Sequence, residues 1–311
     1  MRTVAIDLGG TAVKLGVFES GRLVTHDEFA TVEGQIGLDE VAQRVESLLD
    51  GERAGAIGIA VPGVVDPQGS SLLAAHGKYA ELHDLDLSAW SASRFGCPAV
   101  VENDARAALI GEITDGVARG SRDALLIVLG TGIGTAAIVD GRIIRGRRGH
   151  GAILGGHITL DLDGPRCPCG NIGCAEALAS TWALAADAAS GRLTLGRELA
   201  SRLADPGTIG IRDLVETRHE AESAAILDRY LRTWSAVIVT QCHAFDPDVV
   251  IVTGGVMRSA DVILPALEAR VHADLWSSSF RPPLVTPDDP ATSVLRGLAA
   301  LADDLDSKGR P

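Results

Sequence analysis

The sequence predicts an α/β protein made of two similar halves. Each half begins with a short apolar strand that ends in a glycine turn, continues through two further strands, and then changes to helical spacing. The 311 residues provide enough chain for about two domains. The repeat is one of topology, because the halves show no clear identity at a fixed period. We therefore expect two copies of a β-meander-plus-α/β unit that face a shared cleft.

The first half is predicted to open with three antiparallel strands. Val13, Leu15 and Val17 recur at the period of a strand, and Ser20 and Gly21 form the turn to the next strand. In chain order we expect strands at 4–8, 13–17 and around 23–24, a helix over 38–49, strands at 56–61 and 99–101, and a helix that starts at Asp104.

The second half repeats this order of elements. Asp140 and Gly141 are a strong signal for a two-residue hairpin turn. Residues 190–220 carry no functional signal. In chain order we expect strands at 124–129, 136–139 and 143–144, helices at about 176–190 and 220–244, and a strand at 249–252 that ends in Gly254 and Gly255.

Composition restricts the classes of function. The chain has 28 basic and 41 acidic residues, a net charge of -13. Such a surface repels nucleic-acid backbones and anionic lipids, so neither nucleic acid nor membrane is an expected partner. The apolar runs are far shorter than the roughly 20 residues that span a bilayer, and Asp7 interrupts the apolar stretch a signal peptide would need. We expect a cytoplasmic protein with a small-molecule substrate.

One imidazole and three thiols lie within eighteen residues of the second half. They belong to His157, Cys167, Cys169 and Cys174, and interspersed glycines allow a tight wrap. Such a set suits a closed tetrahedral zinc site. The alternative is a loop that carries unrelated thiols. Because four protein ligands leave no open position, the zinc would be structural and would hold the loop that carries Glu176.

Two glycine turns between strands are candidates for phosphate binding. Residues 7–11 and 130–135 lack Cβ atoms at several positions, so their backbones can approach a phosphate closely. Neither turn fits the P-loop or the dinucleotide-binding pattern, and an ordinary hairpin is the alternative for each. The Asp7 carboxylate could hold a water of a magnesium ion. The pair Gly254 and Gly255 could lie against an adenine or ribose, or could simply start a helix.

A polar cluster closes the strand at 99–101. The Asp104 carboxylate could accept the proton of a hydroxyl group while Asn103 hydrogen-bonds the same substrate molecule. A helix N-cap is the alternative interpretation of either residue. The chemical role and the helix-capping role are compatible.

Together these segments resemble the ROK (repressor, open reading frame, kinase) family of bacterial sugar kinases and sugar-responsive repressors. The resemblance covers nearly the whole chain and is carried by 7–14, 102–104, 130–135, 156–157 and 167–176. It implies an actin-like, ribonuclease-H-like fold that holds ATP and a sugar between two domains. We therefore expect a first domain over 1–118, completed by a helix at about 290–306, and a larger domain with the zinc loop over 119–289.

The resemblance also implies an activity and a set of site residues. It implies a phosphoryl transfer from ATP to a hexose hydroxyl, usually on C6, with Asp104 as general base. It implies sugar contacts from Asn103, Gly63, His157 and Glu176. The nucleotide and magnesium set would be Asp7, Gly9, Gly10, Thr11, Lys14, Gly130, Thr131, Gly132, Gly134, Gly254 and Gly255. A homodimer or homotetramer is expected.

One departure from the family affects the choice of sugar. The family usually has Glu-x-Gly-His, but this chain has Leu154 in place of the glutamate. His76, Lys78 or His150 is a candidate to replace that carboxylate. The open alternatives are a kinase for an N-acetylhexosamine or another non-glucose sugar, and a catalytically weak sugar-binding protein. A repressor is not expected, because only six residues precede Asp7 and the charge is acidic.

Overall fold

The computed structural model describes residues 2–9, 12–30, 37–75, 82–83 and 85–308. The chain divides into two compact units, each built from more than one segment. Unit 1 comprises Met1–Gly120, Ile143–Ala152 and Asp288–Pro311, and unit 2 comprises Ser121–Arg142 and Ile153–Pro287.

The described residues form twelve strands and ten α-helices. The strands are β1 (Arg2–Leu8), β2 (Ala12–Glu19), β3 (Arg22–Ala30), β4 (Ala54–Val61), β5 (Val64–Val65), β6 (Leu72–Ala74), β7 (Ala99–Asn103), β8 (Ala124–Leu129), β9 (Ile133–Val139), β10 (Arg142–Ile143), β11 (Val249–Thr253) and β12 (Leu284–Val285). The helices are α1 (Leu38–Leu49), α2 (Leu87–Phe95), α3 (Asp104–Asp115), α4 (Ala175–Ala179), α5 (Thr181–Ala189), α6 (Arg197–Arg202), α7 (Ile211–Glu216), α8 (Ala221–Phe245), α9 (Ala260–Asp274) and α10 (Pro290–Lys308).

The main sheet of unit 1 has the order β3-β2-β1-β4-β7. Strand β1 pairs antiparallel with β2 and parallel with β4, so the meander continues into a parallel half. Because side chains alternate along a strand, Ile6 faces the core that includes Val41 and Val45 of α1, whereas Ala5 packs with Leu298 of α10. Both faces of the central strand are therefore covered, and the carboxyl ends of β1, β4 and β7 lie at one edge.

Unit 2 repeats the same strand order. Its sheet runs β10-β9-β8-β11-β12, with β8 antiparallel to β9 and parallel to β11. The predicted topological repeat is therefore confirmed. Helix α9 and the short strand β12 were not predicted from the sequence, and residues 190–220 contain the short helices α6 and α7.

The helix predicted over 176–190 is wrong as one element. The chain breaks at Ser180, whose backbone is extended with ψ 165°, so that α4 ends and α5 begins there. The Ser180 hydroxyl accepts a hydrogen bond from Ala183 N at 3.2 Å and caps the second helix. The apolar pattern continues across the break because α4 and α5 both bury mainly alanine side chains.

Helix α10 packs on α3 at glycine positions. A Cβ on Gly111 would lie 2.0 Å from Ser293 O, and a Cβ on Gly297 would lie 1.8 Å from Ala107 O. At one end of the contact the fully buried Glu112 accepts hydrogen bonds from Ser293 Oγ at 2.5 Å and from Arg296 Nη2 at 2.7 Å. Hydrogen bonds to Glu112 therefore reinforce a helix contact that otherwise depends on the close approach of the two backbones.

We expect Gly297→Ala to destabilise unit 1 although alanine is the better helix former. The added methyl group forces α3 and α10 apart, and overpacking typically costs about 1–3 kcal/mol of the free energy of unfolding. Gly37→Ala is the control, because its Cβ would meet nothing closer than 3.7 Å. Denaturant unfolding of both variants measures the difference. Equal midpoints for Gly297→Ala and the wild type would contradict the close contact.

No helix among the described residues combines the length and the apolar character needed to cross a membrane.

Candidate active site

The Asp104 carboxylate lies at the start of α3, directly after β7. Its Oδ1 accepts hydrogen bonds from Ala105 N at 2.8 Å and from Asn103 Nδ2 at 3.0 Å. Asn103 is also the N-cap of α3, since its Oδ1 accepts from Arg106 N at 3.2 Å. The two interpretations of this segment are therefore compatible, because Asn103 caps the helix and at the same time orients the carboxylate.

Gly63 follows the neighbouring strand β4 and is tied to the same cluster. Its carbonyl accepts a second hydrogen bond from Asn103 Nδ2 at 3.0 Å. The backbone of Gly63 has φ +127°, and a Cβ there would lie 2.3 Å from Ala74 O. Only glycine suits this conformation and this close approach. The side-chain amide of Asn103 thus links the end of β7 to the residue that follows the end of β4.

Asp7 and Lys14 lie opposite each other on β1 and β2. The pKa of Asp7 is raised from its ordinary 3.8 to about 7, chiefly by burial and next by the charge of Asp104, while Lys14 acts in the opposite direction. Burial also raises the pKa of Asp104, and the hydrogen bonds from Ala105 and Asn103 partly offset that effect. The charges of the Asp7 and Asp104 carboxyl groups therefore interact at the edge of the unit 1 sheet.

This environment predicts a pH dependence of stability in the nucleotide-free protein. A carboxyl group with a pKa near 7 when folded and near 3.8 when unfolded keeps its proton only in the folded state between those values. Since the folded state binds more protons there, the free energy of unfolding falls as the pH rises from about 4 to 7. The upper limit for Asp7 is about 4 kcal/mol, at about 1.4 kcal/mol for each unit.

Asp7→Asn cannot ionise, so we expect it to melt at a higher temperature than the wild type at pH 8 and at a similar temperature near pH 4. Thermal unfolding across that range measures the difference. Identical pH profiles for the two proteins would contradict the raised pKa.

A buried ion pair lies close to Asp104 in the chain, and sequence reasoning missed it. Arg106 is 1% exposed and lies 3.4 Å from Glu102, whose other oxygen is 2.6 Å from Arg145. The Arg106 guanidinium also donates to the carbonyls of Gly149 at 2.8 Å and Gly151 at 2.6 Å. These bonds hold the segment 143–152 against the first turn of α3. No sequence signal pointed to them, because the partners lie about forty positions away.

In unit 2 the second glycine turn lies next to Gly254 and Gly255. Strands β8 and β11 are parallel neighbours, so the turn at 130–134 and the end of β11 share one edge. Gly254 has φ +98°, and a Cβ there would lie 2.3 Å from Leu129 O. A Cβ on Gly130 would have Gly255 N as its nearest neighbour, at 3.9 Å. The predicted nucleotide residues of this half are thus brought together.

Glu176 of α4 contacts this turn. Its Oε2 accepts a hydrogen bond from Ile133 N at 2.9 Å, and a Cβ on Gly132 would lie 2.5 Å from the same oxygen. This contact between a side chain expected to bind sugar and a turn expected to bind phosphate was not predicted from the sequence.

The predicted zinc ligands form a compact cluster. The donor atoms of His157, Cys167, Cys169 and Cys174 all lie within 4.8 Å of one another. Two sulfurs on a tetrahedral zinc ion are about 3.8 Å apart for bonds of about 2.3 Å, and the Sγ atoms of Cys169 and Cys174 are separated by 3.7 Å. His157 Nδ1 lies 3.6 Å from Cys167 Sγ. The donor set and its spacing therefore fit a structural zinc ion.

Other predicted residues are placed as follows. Leu154 is 41% exposed and directly precedes the 3-10 turn Gly155–His157. His150 is exposed, and its Nδ1 lies 2.8 Å from Arg148 O. A Cβ on Gly9 would lie 2.6 Å from Ala12 O. Gly10, Thr11, His76 and Lys78 lie outside the described residues.

The sequence model of the ROK family matches residues 3–305. The chain belongs to the ROK family. Among its ROK relatives, the glucokinase of Thermotoga maritima is 30% identical over 278 residues, 87% of each chain. The glucokinase of Streptomyces coelicolor is 33% identical over 290 residues, 90% of each chain.

A solved ROK structure is similar over its full length. It is a ROK family glucokinase from Streptomyces griseus in complex with glucose and AMPPNP, with a TM-score of 0.83 and 30% identity, covering 98% of this chain and 100% of that one. The predicted actin-like ATPase fold is confirmed by this likeness. The ROK glucokinases support a sugar kinase that uses ATP.

Proposed function

We propose that this chain is an ATP-dependent hexose kinase that transfers the γ-phosphoryl group to a sugar hydroxyl on C6, with Asp104 as the general base. The observation that carries the proposal is the Asp104 carboxylate at the head of α3, oriented by Asn103 and with a raised pKa. The hydrogen bonds from Asn103 and Ala105 both go to Oδ1. We assign to Oδ2 the task of accepting the hydroxyl proton.

Phosphoryl transfer requires mainly positioning and neutralisation of charge, with one base for the attacking hydroxyl. The raised pKa makes the Asp104 carboxylate a stronger base for the hydroxyl proton. Asn103 and Gly63 hold that carboxylate in place through the shared amide contact. We assign Asn103, Gly63, His157 and Glu176 to sugar binding.

We assign the nucleotide to the glycine turns. The backbone N–H groups of Thr131 and Gly132 would face phosphate oxygens, and Gly254 and Gly255 would leave room for the adenosine. Gly9, Gly10, Thr11 and Lys14 complete the proposed set. The buried Asp7 carboxylate fits a magnesium ion held through water, since Mg²⁺ prefers oxygen ligands and keeps several waters. The ion would neutralise the charge that develops on the phosphates.

The zinc ion is assigned a structural role. His157, Cys167, Cys169 and Cys174 would supply all four ligands of a tetrahedral zinc ion, which would leave no position open for substrate. We also propose that the enzyme acts in the cytoplasm as a homodimer or homotetramer.

The proposed function is tested by coupled ADP release with ATP and magnesium across glucose, mannose, fructose, allose, N-acetylglucosamine and N-acetylmannosamine. We expect sugar-dependent ADP release with at least one hexose. Its absence with every sugar, in protein that is folded and carries zinc, would contradict a hexose kinase and favour a sugar-binding protein.

Leu154 is predicted to weaken the affinity for glucose. A leucine side chain accepts no hydrogen bond, whereas a carboxylate at this position could accept one from a sugar hydroxyl. A hydrogen bond to a charged group is worth about 1.5–3 kcal/mol, so we expect Leu154→Glu to lower KM for glucose about tenfold or more.

Leu162→Glu is the matched control for this substitution, because Leu162 is an exposed leucine eight positions further along the chain and has no assigned role. Steady-state kinetics with glucose measure both variants. An unchanged KM in Leu154→Glu would show that this position does not set the choice of sugar.

A further inference from the structure

The glycine turn between β8 and β9 is held in place by one following segment of the chain. Three hydrogen bonds join them. Glu176 Oε2 accepts from Ile133 N at 2.9 Å, Thr181 N donates to Gly130 O at 3.0 Å, and Trp182 N donates to Thr131 O at 3.5 Å. The turn itself closes through one further bond, from Gly130 N to Gly132 O at 3.0 Å. Residues 174–182 therefore contact nearly every peptide of the turn.

This segment is itself rigidly supported. It begins at the zinc ligand Cys174, which is fully buried, and Ala175 N donates to Ile158 O at 3.0 Å. At the end of α4 the carbonyl of Ala179 accepts a hydrogen bond from the indole of Trp234 at 2.8 Å. Trp234 is 1% exposed and lies in the long helix α8. The Glu176 carboxylate thus extends from an element fixed at both ends.

The carboxylate and the turn are fitted closely together. The space that a Cβ of Gly132 would need is taken by Glu176 Oε2, at 2.5 Å. Glycine at 132 is therefore required by the carboxylate, as well as by any phosphate that approaches the backbone. Within the described residues, Oε1 of Glu176 accepts no hydrogen bond. One oxygen of this side chain holds the turn while the other stays available to a sugar hydroxyl.

We infer that Glu176 is a positioning residue for the nucleotide: its hydrogen bond to Ile133 N fixes the peptide orientations of the turn that receives the phosphates. The inference rests on the proposed function, which assigns that turn to ATP. A carboxylate that bound only sugar would affect the affinity for sugar and leave nucleotide binding in the absence of sugar unchanged. A positioning residue affects nucleotide binding even when no sugar is present.

Two variants of Glu176 separate the effect of side-chain length from the effect of side-chain charge. Glu176→Gln keeps the length and an oxygen acceptor for Ile133 N but removes the charge. Glu176→Asp keeps the charge but is one methylene shorter, which withdraws the oxygens by about 1.5 Å. We measure the binding of a non-hydrolysable ATP analogue with magnesium by calorimetry, without sugar, together with the zinc content of each protein.

We expect Glu176→Gln to bind the analogue within about threefold of the wild type and Glu176→Asp to bind it about tenfold more weakly, both with full zinc. Loss of a charge-assisted hydrogen bond is of that size. Equal binding by all three proteins would overturn the inference and leave the proposed function intact. Weaker binding of the analogue by Glu176→Gln than by Glu176→Asp would also overturn it, because the charge of the side chain would then matter more than its length. A wild type that binds no nucleotide would overturn the proposed function and the inference together.

If Glu176→Asp loses its zinc, Gly132→Ala tests the same contact from the turn. Its methyl group would displace the carboxylate from Ile133 N without altering the zinc ligands. Because a phosphate would also approach Gly132, this variant is compared with Glu176→Ala and with the double variant. We expect the methyl group to weaken analogue binding in the wild type and to have little further effect in Glu176→Ala, with full zinc throughout. An equal loss in both backgrounds would overturn the inference, as would unchanged binding by Gly132→Ala.

Discussion

Replacing Asp104 with asparagine is expected to lower kcat by about 10²–10⁴-fold, the usual contribution of a positioned general base. Asparagine has nearly the same shape, and its carbonyl oxygen can still accept the hydrogen bond from Ala105 N that Oδ1 accepts at 2.8 Å. It cannot accept the hydroxyl proton at neutral pH. Binding of the ATP analogue should therefore change little while turnover is lost.

The matched control for Asp104→Asn is Asp115→Asn at the other end of the same helix. The Asp115 side chain is 67% exposed and lies 3.8 Å from Arg119. This variant should keep wild-type kcat, as measured by coupled ADP release. A kcat for Asp104→Asn within a few-fold of the wild type would show that another group accepts the proton.

Cys174→Ser is expected to remove the zinc ion and to lower the melting temperature of unit 2. Structural zinc sites contribute folding free energy directly, about 10–16 kcal/mol in isolated zinc-finger peptides. A hydroxyl group is a poor replacement for the thiolate of Cys174, which is fully buried within the cluster. Loss of the ion should also loosen the segment that carries Glu176, so the variant should bind the ATP analogue more weakly.

Cys97→Ser provides the control for a lost thiol. Cys97 is also buried, but it lies in unit 1 and outside the zinc cluster. We expect one zinc ion per chain in this variant and in the wild type, and much less in Cys174→Ser, by elemental analysis. Full zinc content in Cys174→Ser would contradict the four-ligand site.

Features set by local sequence were predictable. The hairpin at Asp140 and Gly141 and the alternation of Val13, Leu15 and Val17 depend on neighbouring residues only, and β9, β10 and β2 form where these patterns occur. The zinc ligands were recognisable because their donor chemistry is rare and their spacing is short. The repeated strand order followed from the order of these local patterns.

Features set by contacts distant in sequence were not predictable. Arg106 appears in the sequence as one charged residue of a helix, yet it is buried and holds Gly149 and Gly151 through their carbonyls. The break at Ser180 depends on a single cap within a continuous apolar pattern. For Glu176 the resemblance suggested a sugar contact, but only the folded chain brings the carboxylate to Ile133 N.

The proposed reaction moves the γ-phosphoryl group of ATP to the C6 hydroxyl of a hexose. Identifying the product tests it most directly, by ¹H–³¹P correlation NMR on a reaction with the sugar that releases ADP fastest. We expect a phosphorus signal coupled to the C6 protons of the sugar, formed in the same amount as ADP and about 10²–10⁴-fold more slowly by Asp104→Asn. Inorganic phosphate formed beside unchanged sugar, or phosphorus coupled to a proton on another carbon, would contradict it.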